Sequence, residues 1–212
     1  MESSAKKNIL KKIKQALATP VPVPFQEQPA IQVFQAQQHE PEIEFAEKFT
    51  SLQGKFSFCV NVIELVNQLQ TLLTARGWKN IFIKDDALQQ ALQSAGLNIQ
   101  YTNNLAECDA AITGCEYLVA RTGSMVLSAA QQSGRTVSVY APVHICIAYT
   151  SQLVYDIKDA LELIQKKYPD NLPSLISFAS GPSRTADIEK TLVTGVHGPK
   201  EVFCFLVQTQ SA

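Results

Sequence analysis

The stretch KFSFCVNVIELVNQLQTLLTARGWKNIFIKDDALQQALQSAGLNIQY, residues 55–101, decides the fold class. Short apolar runs at 55–60, 80–83 and 98–101 predict strands, and the apolar residues between them recur at helical spacing. Strands that alternate with helices form parallel sheets covered by helices. The sequence therefore predicts an α/β fold built on a Rossmann-like βαβ sheet.

The flanking sequence extends this pattern. The helices inside the quoted stretch are predicted at 63–76 and 85–95. Outside it, helices are predicted at 42–52, 156–167 and from about Thr185 to residue 192, and strands at 109–113, 174–178 and 202–207. Segments 117–120 and 124–127 read as a hairpin that turns at Gly123. Two more apolar segments, 137–140 and 144–148, flank Ala141-Pro142.

The N-terminal region differs in kind from the rest. Residues 3–18 predict a short helix that carries five lysines between Lys6 and Lys14, and residues 19–41 are rich in proline and glutamine. We therefore divide the chain into a basic arm with its linker, 1–41, and a main domain, 42–212. The arm is either a solvated docking helix, a contact to an acidic partner or membrane surface, or a link to a neighbouring subunit in a homo-oligomer.

Composition excludes several classes of function. Eighteen Lys+Arg against 19 Asp+Glu give a net charge of −1, which argues against a nucleic-acid partner read by charge. No apolar run is long enough to span a membrane and the N-terminus does not resemble a secretory signal, so we expect a cytoplasmic protein. Five cysteines without a CxxC pair predict buried reduced thiols and no iron–sulfur cluster in this chain. No Walker motif, Rossmann glycine fingerprint or HExxH motif is present, and we expect no other cofactor in this chain. Three scattered histidines give no metal signature.

The densest candidate site is SGPSRTADIE, residues 180–189, between a predicted strand and a predicted helix. A helix N-terminus presents unpaired N–H groups and the positive end of the helix dipole, which favours a bound anion. We predict that the loop contacts a small organic anion through Gly181, Pro182, Ser183, Arg184 and Thr185. Asp187 and Glu189 are candidate catalytic acids or bases, or they complement the helix dipole.

Two other segments are candidates to complete this pocket. The first supplies Thr113, Gly114, Arg121, Thr122, Gly123 and Ser124 as ligand contacts. The second is GVHGP, residues 195–199, in which Gly198 is a ligand contact and His197 is a candidate acid, base or donor. Each segment is alternatively an ordinary turn, and His144 is predicted to be a core histidine. Because open α/β sheets bind ligands outside the carboxyl ends of their strands, we expect the segments to meet there.

The order of these motifs carries a family resemblance. Thr113-Gly114, LVARTGS at 118–124, PVHIC at 142–146, GPSRTADIE at 181–189 and GVHGP at 195–199 together resemble the LUD-domain family, specifically the lactate utilization protein C group. The resemblance implies a fold of the ribose-5-phosphate isomerase, glucosamine-6-phosphate deaminase and CoA-transferase-like superfamily. It also implies a place in a system that oxidises L-lactate to pyruvate, as the component without redox centres. Iron–sulfur clusters are then expected only in partner subunits.

One residue departs from the family pattern, and two other readings stay open. Where the family often has an acidic residue before Thr-Gly, this chain has Arg121, which puts an acid or base role there in doubt and favours an anionic ligand. The first alternative is a free-standing enzyme of the isomerase or CoA-transferase type, with Glu189 or Asp187 as the base. The second is an assembly module that docks a neighbour through residues 1–40.

Overall fold

A computed structural model describes residues 4–17, 37, 39–185 and 193–209. It separates into two units, Met1–Ala36 and Gln37–Ala212, whereas the sequence predicted the boundary after residue 41. In the first unit, the predicted basic helix is confirmed as α1 (Ser4–Leu17). The part of the chain that the structure describes contains no helix long and apolar enough to span a bilayer.

The second unit alternates helices and strands. Its helices are α2 (Pro41–Ser51), α3 (Val62–Arg76), α4 (Asp86–Ser94), α5 (Val137–Tyr140) and α6 (Ile157–Lys167). Its strands are β1 (Lys55–Cys59), β2 (Ile81–Phe82), β3 (Tyr101–Thr102), β4 (Ala110–Thr113), β5 (Tyr117–Val119), β6 (Ser124–Ser128), β7 (Val143–Tyr149), β8 (Leu153–Val154), β9 (Ile176–Ala179), β10 (Arg184–Thr185), β11 (Val193–Thr194) and β12 (Glu201–Val207).

The central sheet confirms the predicted α/β fold. Its six strands lie in the order β1-β12-β7-β4-β2-β3, and every neighbouring pair is parallel. The last strand of the chain, β12, therefore inserts between the first strand and β7. The third strand begins later than predicted, at Tyr101.

Helix α3 shows how local sequence and core packing agree. The side chain of Asn61 caps its first turn by accepting a hydrogen bond from the Glu64 amide at 2.9 Å, and Gly77 ends it in the left-handed conformation, at φ 65°. Between these ends, Leu65, Leu69 and Leu73 are buried against one face of the central sheet. Burial of each leucine side chain contributes about 1.5–3 kcal/mol before the entropy cost of folding.

The opposite face of the central sheet is covered by α2 and by a second sheet. This second sheet has the order β8-β5-β6-β9, and it includes the predicted hairpin of β5 and β6 that turns at Gly123. Phe45 and Phe49 of α2 stack at a centroid distance of 5.4 Å and are completely buried between the layers. Helix α2 therefore connects the two sheets.

One prediction about secondary structure is corrected. The helix expected to begin at Thr185 is wrong at that residue, since Arg184 and Thr185 pair with Thr194 and Val193 as the hairpin of β10 and β11. The intervening residues 186–192 lie outside the described residues. Of the two segments around Ala141-Pro142, only the second is a strand, because Val137–Tyr140 forms a helical turn that packs on Ala111.

The five cysteines are free and buried, as the sequence predicted. Three of them, Cys115, Cys146 and Cys204, belong to the core that also contains Phe45 and Phe49. Among the described residues, no group of three or more His, Cys, Asp or Glu side chains has the geometry of a metal site.

Candidate functional site

The residues predicted to bind a ligand fall into three places. Thr113 and Gly114 end β4 in the central sheet, and Arg121 to Ser124 lie at the hairpin turn of the second sheet. Residues 181–185 and 195–199 form a third place, which we call the loop pair. Asp187 and Glu189, the candidate acids or bases, lie outside the described residues.

At the first place, Thr113 is bonded to a buried histidine. The Thr113 hydroxyl and Nε2 of His144 share a hydrogen bond of 2.8 Å, and each residue is only 1% exposed. Burial lowers the pKa of His144, so the imidazole is neutral near pH 7. This confirms that His144 is a satisfied core histidine. The same hydrogen bond directs the Thr113 hydroxyl into the core. The space beside the adjacent Gly114 is open, since a Cβ there would meet only the Ile147 carbonyl oxygen, at 3.9 Å.

Replacing Thr113 with valine is expected to destabilise the protein by about 1–3 kcal/mol, because a buried imidazole nitrogen then has no partner. Valine has nearly the same shape as threonine, so the change isolates the hydroxyl. Thr113→Ser, which keeps the hydroxyl, is the control and should recover part of the loss. Urea unfolding measures both variants, and a valine variant as stable as the unmodified protein would contradict the prediction.

At the second place, Arg121 is already paired with a carboxylate. Its Nε and one terminal nitrogen donate to the two oxygens of Asp156 at 2.6 and 3.2 Å. The hydrogen bond from Arg121 holds the pKa of Asp156 below its usual value, and the same bond raises the pKa of Arg121. Asp156 also caps α6. An anion at Arg121 would therefore have to compete with a bidentate intramolecular partner.

A buried carboxylate lies near this pair. Glu44 of α2 is 9% exposed, and its Oε2 has no hydrogen-bond partner. Desolvation and the charge of Glu44 raise the pKa of the neighbouring Tyr155, whose carbonyl oxygen accepts from the Arg121 amide at 3.1 Å. Sequence reasoning missed Glu44, because its acidic neighbours on the same helix give no sign of which carboxylate is buried.

Three hydroxyl groups form a cluster that begins at Thr122, the residue after Arg121. Ser124 Oγ lies 2.8 Å from Thr122 Oγ1 and 2.7 Å from Ser180 Oγ, so the structure brings two predicted site residues together with Ser180. Gly123 and Gly181 flank this hydroxyl cluster. Both have positive φ, and a Cβ at either would collide with the backbone at the end of α2. Because Gly123 and Gly181 have no side chains, the backbone at the end of α2 can pack closely against them.

The third place, the loop pair, is held by backbone hydrogen bonds. The Ser183 amide donates to the Pro199 carbonyl and the Gly195 amide donates to the Ser183 carbonyl, each at 3.0 Å. Gly198 packs so closely that a Cβ there would lie 2.8 Å from the Ser183 Cβ. Arg184, His197 and Lys200 are exposed, while Pro182 is buried. The structure thus joins two segments that the sequence proposed for one site, and it places the cationic side chains of Arg184 and Lys200 at them.

The loop pair lies at the amino ends of its neighbouring strands. The Lys200 amide donates to the Pro142 carbonyl at 2.9 Å, immediately before β12 and β7 begin. Thr113 instead pairs with Cys146, farther along β7. The expectation that all three segments meet at the carboxyl ends is therefore wrong. The reason is topological, since residues that lead into a parallel strand lie at its amino end.

The carboxyl ends of β1, β12 and β7 carry a groove that the motif analysis did not single out. This edge groove has a volume of about 410 Å³, and it is lined by Asn61, Val62, Ile63, Tyr149, Gln208 and Thr209. Thr209 fixes its rim, because its amide donates to Thr150 Oγ1 at 2.9 Å and its hydroxyl accepts from the Ser151 amide at 3.1 Å. The general rule for ligands of α/β sheets was the signal that could have found it.

A model of the LUD domain matches residues 43–207 of this chain. The chain belongs to the LUD-domain family. The matched region contains all three places where the predicted ligand-binding residues lie, and it begins after α1. The family resemblance noted from the sequence motifs is thereby confirmed.

Relatives of this LUD-domain protein include proteins named for lactate utilization. Lactate utilization protein C of Halalkalibacterium halodurans is 39% identical over 103 residues, which are 48% of this chain and 44% of that protein. The corresponding protein of Anoxybacillus flavithermus is 30% identical over 152 residues, 66% of this chain and 68% of that protein. The chain therefore aligns with under half of the first relative's length.

Two further similarities extend over most of the chain. An uncharacterized protein of Neisseria meningitidis is 27% identical over 219 residues, 94% of this chain and 91% of that protein. The crystal structure of a DUF162 family protein from Deinococcus radiodurans superimposes with a TM-score of 0.59 at 19% identity, over 79% of this chain and 96% of that chain. This structural similarity supports the fold of the LUD domain.

Proposed function

We propose that this LUD-domain protein is the component without redox centres in a system that oxidises L-lactate to pyruvate, and that it binds a small organic anion. The observation that carries the proposal is the family match over residues 43–207 together with relatives named lactate utilization protein C. In this proposal the iron–sulfur clusters belong to partner subunits, and the five buried cysteines of this chain pack in its interior.

The loop pair is the site we propose for the anion. A carboxylate is recognised best by a guanidinium group, which presents two parallel N–H donors. Arg184 is exposed and adjoins the backbone bonds of Ser183, whereas the guanidinium of Arg121 is paired with Asp156. His197 adds a donor on the loop pair, and Lys200 adds another directly after it. Support for this site therefore comes from the positive charge of Arg184 and from the position of its exposed side chain on the loop pair.

A thermal-shift titration with L-lactate, pyruvate, sugar phosphates and CoA thioesters tests the anion site. A ligand that binds only the folded protein at a hundredfold excess over its Kd adds about 2.7 kcal/mol, which is about 5–10 °C in Tm for a domain of this size. We expect Arg184→Ala to abolish the shift. Arg135→Ala, which removes another exposed arginine, is the control and should keep it. No shift with any of these anions, or a shift that survives Arg184→Ala, would contradict the proposed site.

Partnership is tested separately by co-purification. We expect the full-length protein, co-expressed with the iron–sulfur proteins of the proposed lactate-oxidising system, to elute with them in size-exclusion chromatography. Separate elution at micromolar concentration would contradict the lactate-system proposal without affecting the anion site. The two parts of the proposal can therefore fail independently.

A further inference from the structure

We propose that α1 is a peripheral membrane anchor that lays its apolar face on an anionic lipid surface. This goes beyond the proposed function, since α1 precedes the LUD-domain match. The helix has 14 residues, SAKKNILKKIKQAL, with five lysines and no acidic residue, in a chain whose net charge is −1. Its positive charge is therefore concentrated on one segment.

The apolar residues of α1 lie on one exposed face. Ile9, Leu10 and Ile13 are spaced at i, i+1 and i+4, and their side chains are 59%, 47% and 48% exposed. Exposure of three large aliphatic side chains on one helix is costly in water, since each forgoes the free energy of burial. A 14-residue helix is also only marginally stable by itself in water. Both features favour a surface that buries this face and stabilises the helix.

The chemistry of the two faces favours a lipid over a protein partner. Protein interfaces draw their affinity from aromatic and arginine side chains and are depleted in lysine. The exposed apolar residues of α1 are all aliphatic, and every cation of the helix is a lysine. Binding to a bilayer needs only apolar area and attraction to anionic headgroups, and long lysine side chains reach those headgroups from the edge of the apolar face. The charge of α1 is thus complementary to an anionic bilayer.

Co-sedimentation of the full-length protein with lipid vesicles tests this anchor. We expect binding to phosphatidylcholine vesicles that contain ~30% phosphatidylserine, little binding to pure phosphatidylcholine, and a decline as salt is raised. Lys11→Gln/Lys12→Gln should weaken binding by about 25-fold, since each lysine near such a surface is worth about fivefold in affinity. Ile9→Ser/Ile13→Ser should weaken it at low salt as well.

A matched control keeps the test specific to α1. Lys79→Gln/Lys84→Gln removes the same charge from two exposed lysines of the LUD domain and should leave vesicle binding unchanged. Equal binding to both vesicle types, or an equal loss in the control, would overturn the proposal. Retention by polyglutamate with no binding to vesicles would also overturn it, in favour of an acidic protein partner. None of these outcomes depends on the anion site.

Discussion

Replacing Gly181 with alanine is expected to destabilise the LUD domain by about 2–5 kcal/mol, one of the two largest effects expected here. Gly181 has φ 80°, a conformation that alanine adopts only with strain. In addition, a Cβ at this position would collide with the carbonyl oxygen of Leu52, which ends α2. Because the obstacle is backbone, relief requires that α2 and the hydroxyl cluster move apart. Urea unfolding monitored by circular dichroism measures the loss.

Gly134 provides a matched control for the strain alone. It has φ 64°, but a Cβ there would meet no atom within 4 Å. Gly134→Ala should therefore cost only the conformational term, about 1–2 kcal/mol. If the two variants were equally stable, contact between Gly181 and α2 would contribute nothing, and this account of the glycine would be wrong.

Replacing Lys167 with methionine is expected to destabilise the protein by about 2–3 kcal/mol, because it removes the cation that balances a buried carboxylate. The side chain of Glu116 is 1% exposed, and Lys167 Nζ lies 2.8 Å from its Oε2. Ser128 and Tyr168 donate to the other oxygen at 2.5 and 3.0 Å, but neither carries charge. We place the loss below that of a fully buried pair, since the Lys167 side chain is half exposed.

The pH dependence of this loss distinguishes a charge effect from a packing effect. Burial alone would raise the pKa of Glu116, but the hydrogen bonds from Lys167, Ser128 and Tyr168 outweigh it and hold the pKa below 4.5. A lowered carboxyl pKa stabilises the folded protein above pH 4.5, and that contribution is lost as the pH falls through the folded-state pKa. The gap between the unmodified protein and Lys167→Met should therefore be full at pH 7 and should shrink below about pH 4.5.

Lys166 is the control for Lys167. It lies in the same last turn of α6, so it interacts similarly with the helix dipole, whereas the ion pair with Glu116 is made by Lys167. Lys166→Met should change the free energy of unfolding by no more than about 0.5 kcal/mol. Denaturant titrations of the three proteins at pH 7 and pH 4 complete the test. A gap for Lys167→Met that is the same at both pH values would show that the carboxylate charge plays no part.

Local patterns explain which parts of the fold could be predicted. The residues of α3 carry their own start and stop signals in Asn61 and Gly77, and the turn at Gly123 carries the glycine that its φ of 58° requires. The helix expected to begin at Thr185 is wrong at that residue, because tertiary pairing of Thr185 with Val193 overrides the local pattern there. The Thr113–His144 bond shows the same limit for the site, since the two residues are 31 positions apart and the sheet register alone brings them together.

The sequence by itself determined the family, the alternation of helices and strands, the buried cysteines and the segregation of lysines on α1. The helices, the strands and the lysine-rich face depend on residue type and on spacing over a few positions, which local backbone geometry converts directly into structure. The family is carried by the order of motifs between residues 113 and 199, which can be read without the fold. Only the tertiary structure decided that Arg121 is paired with Asp156, 35 residues away, and that Glu116 is paired with Lys167, 51 residues away. It also decided that the loop pair lies at the amino ends of β7 and β12. Which charged side chains form an ion pair depends on strand order and register, because two distant side chains meet only after the chain between them has folded into the sheet.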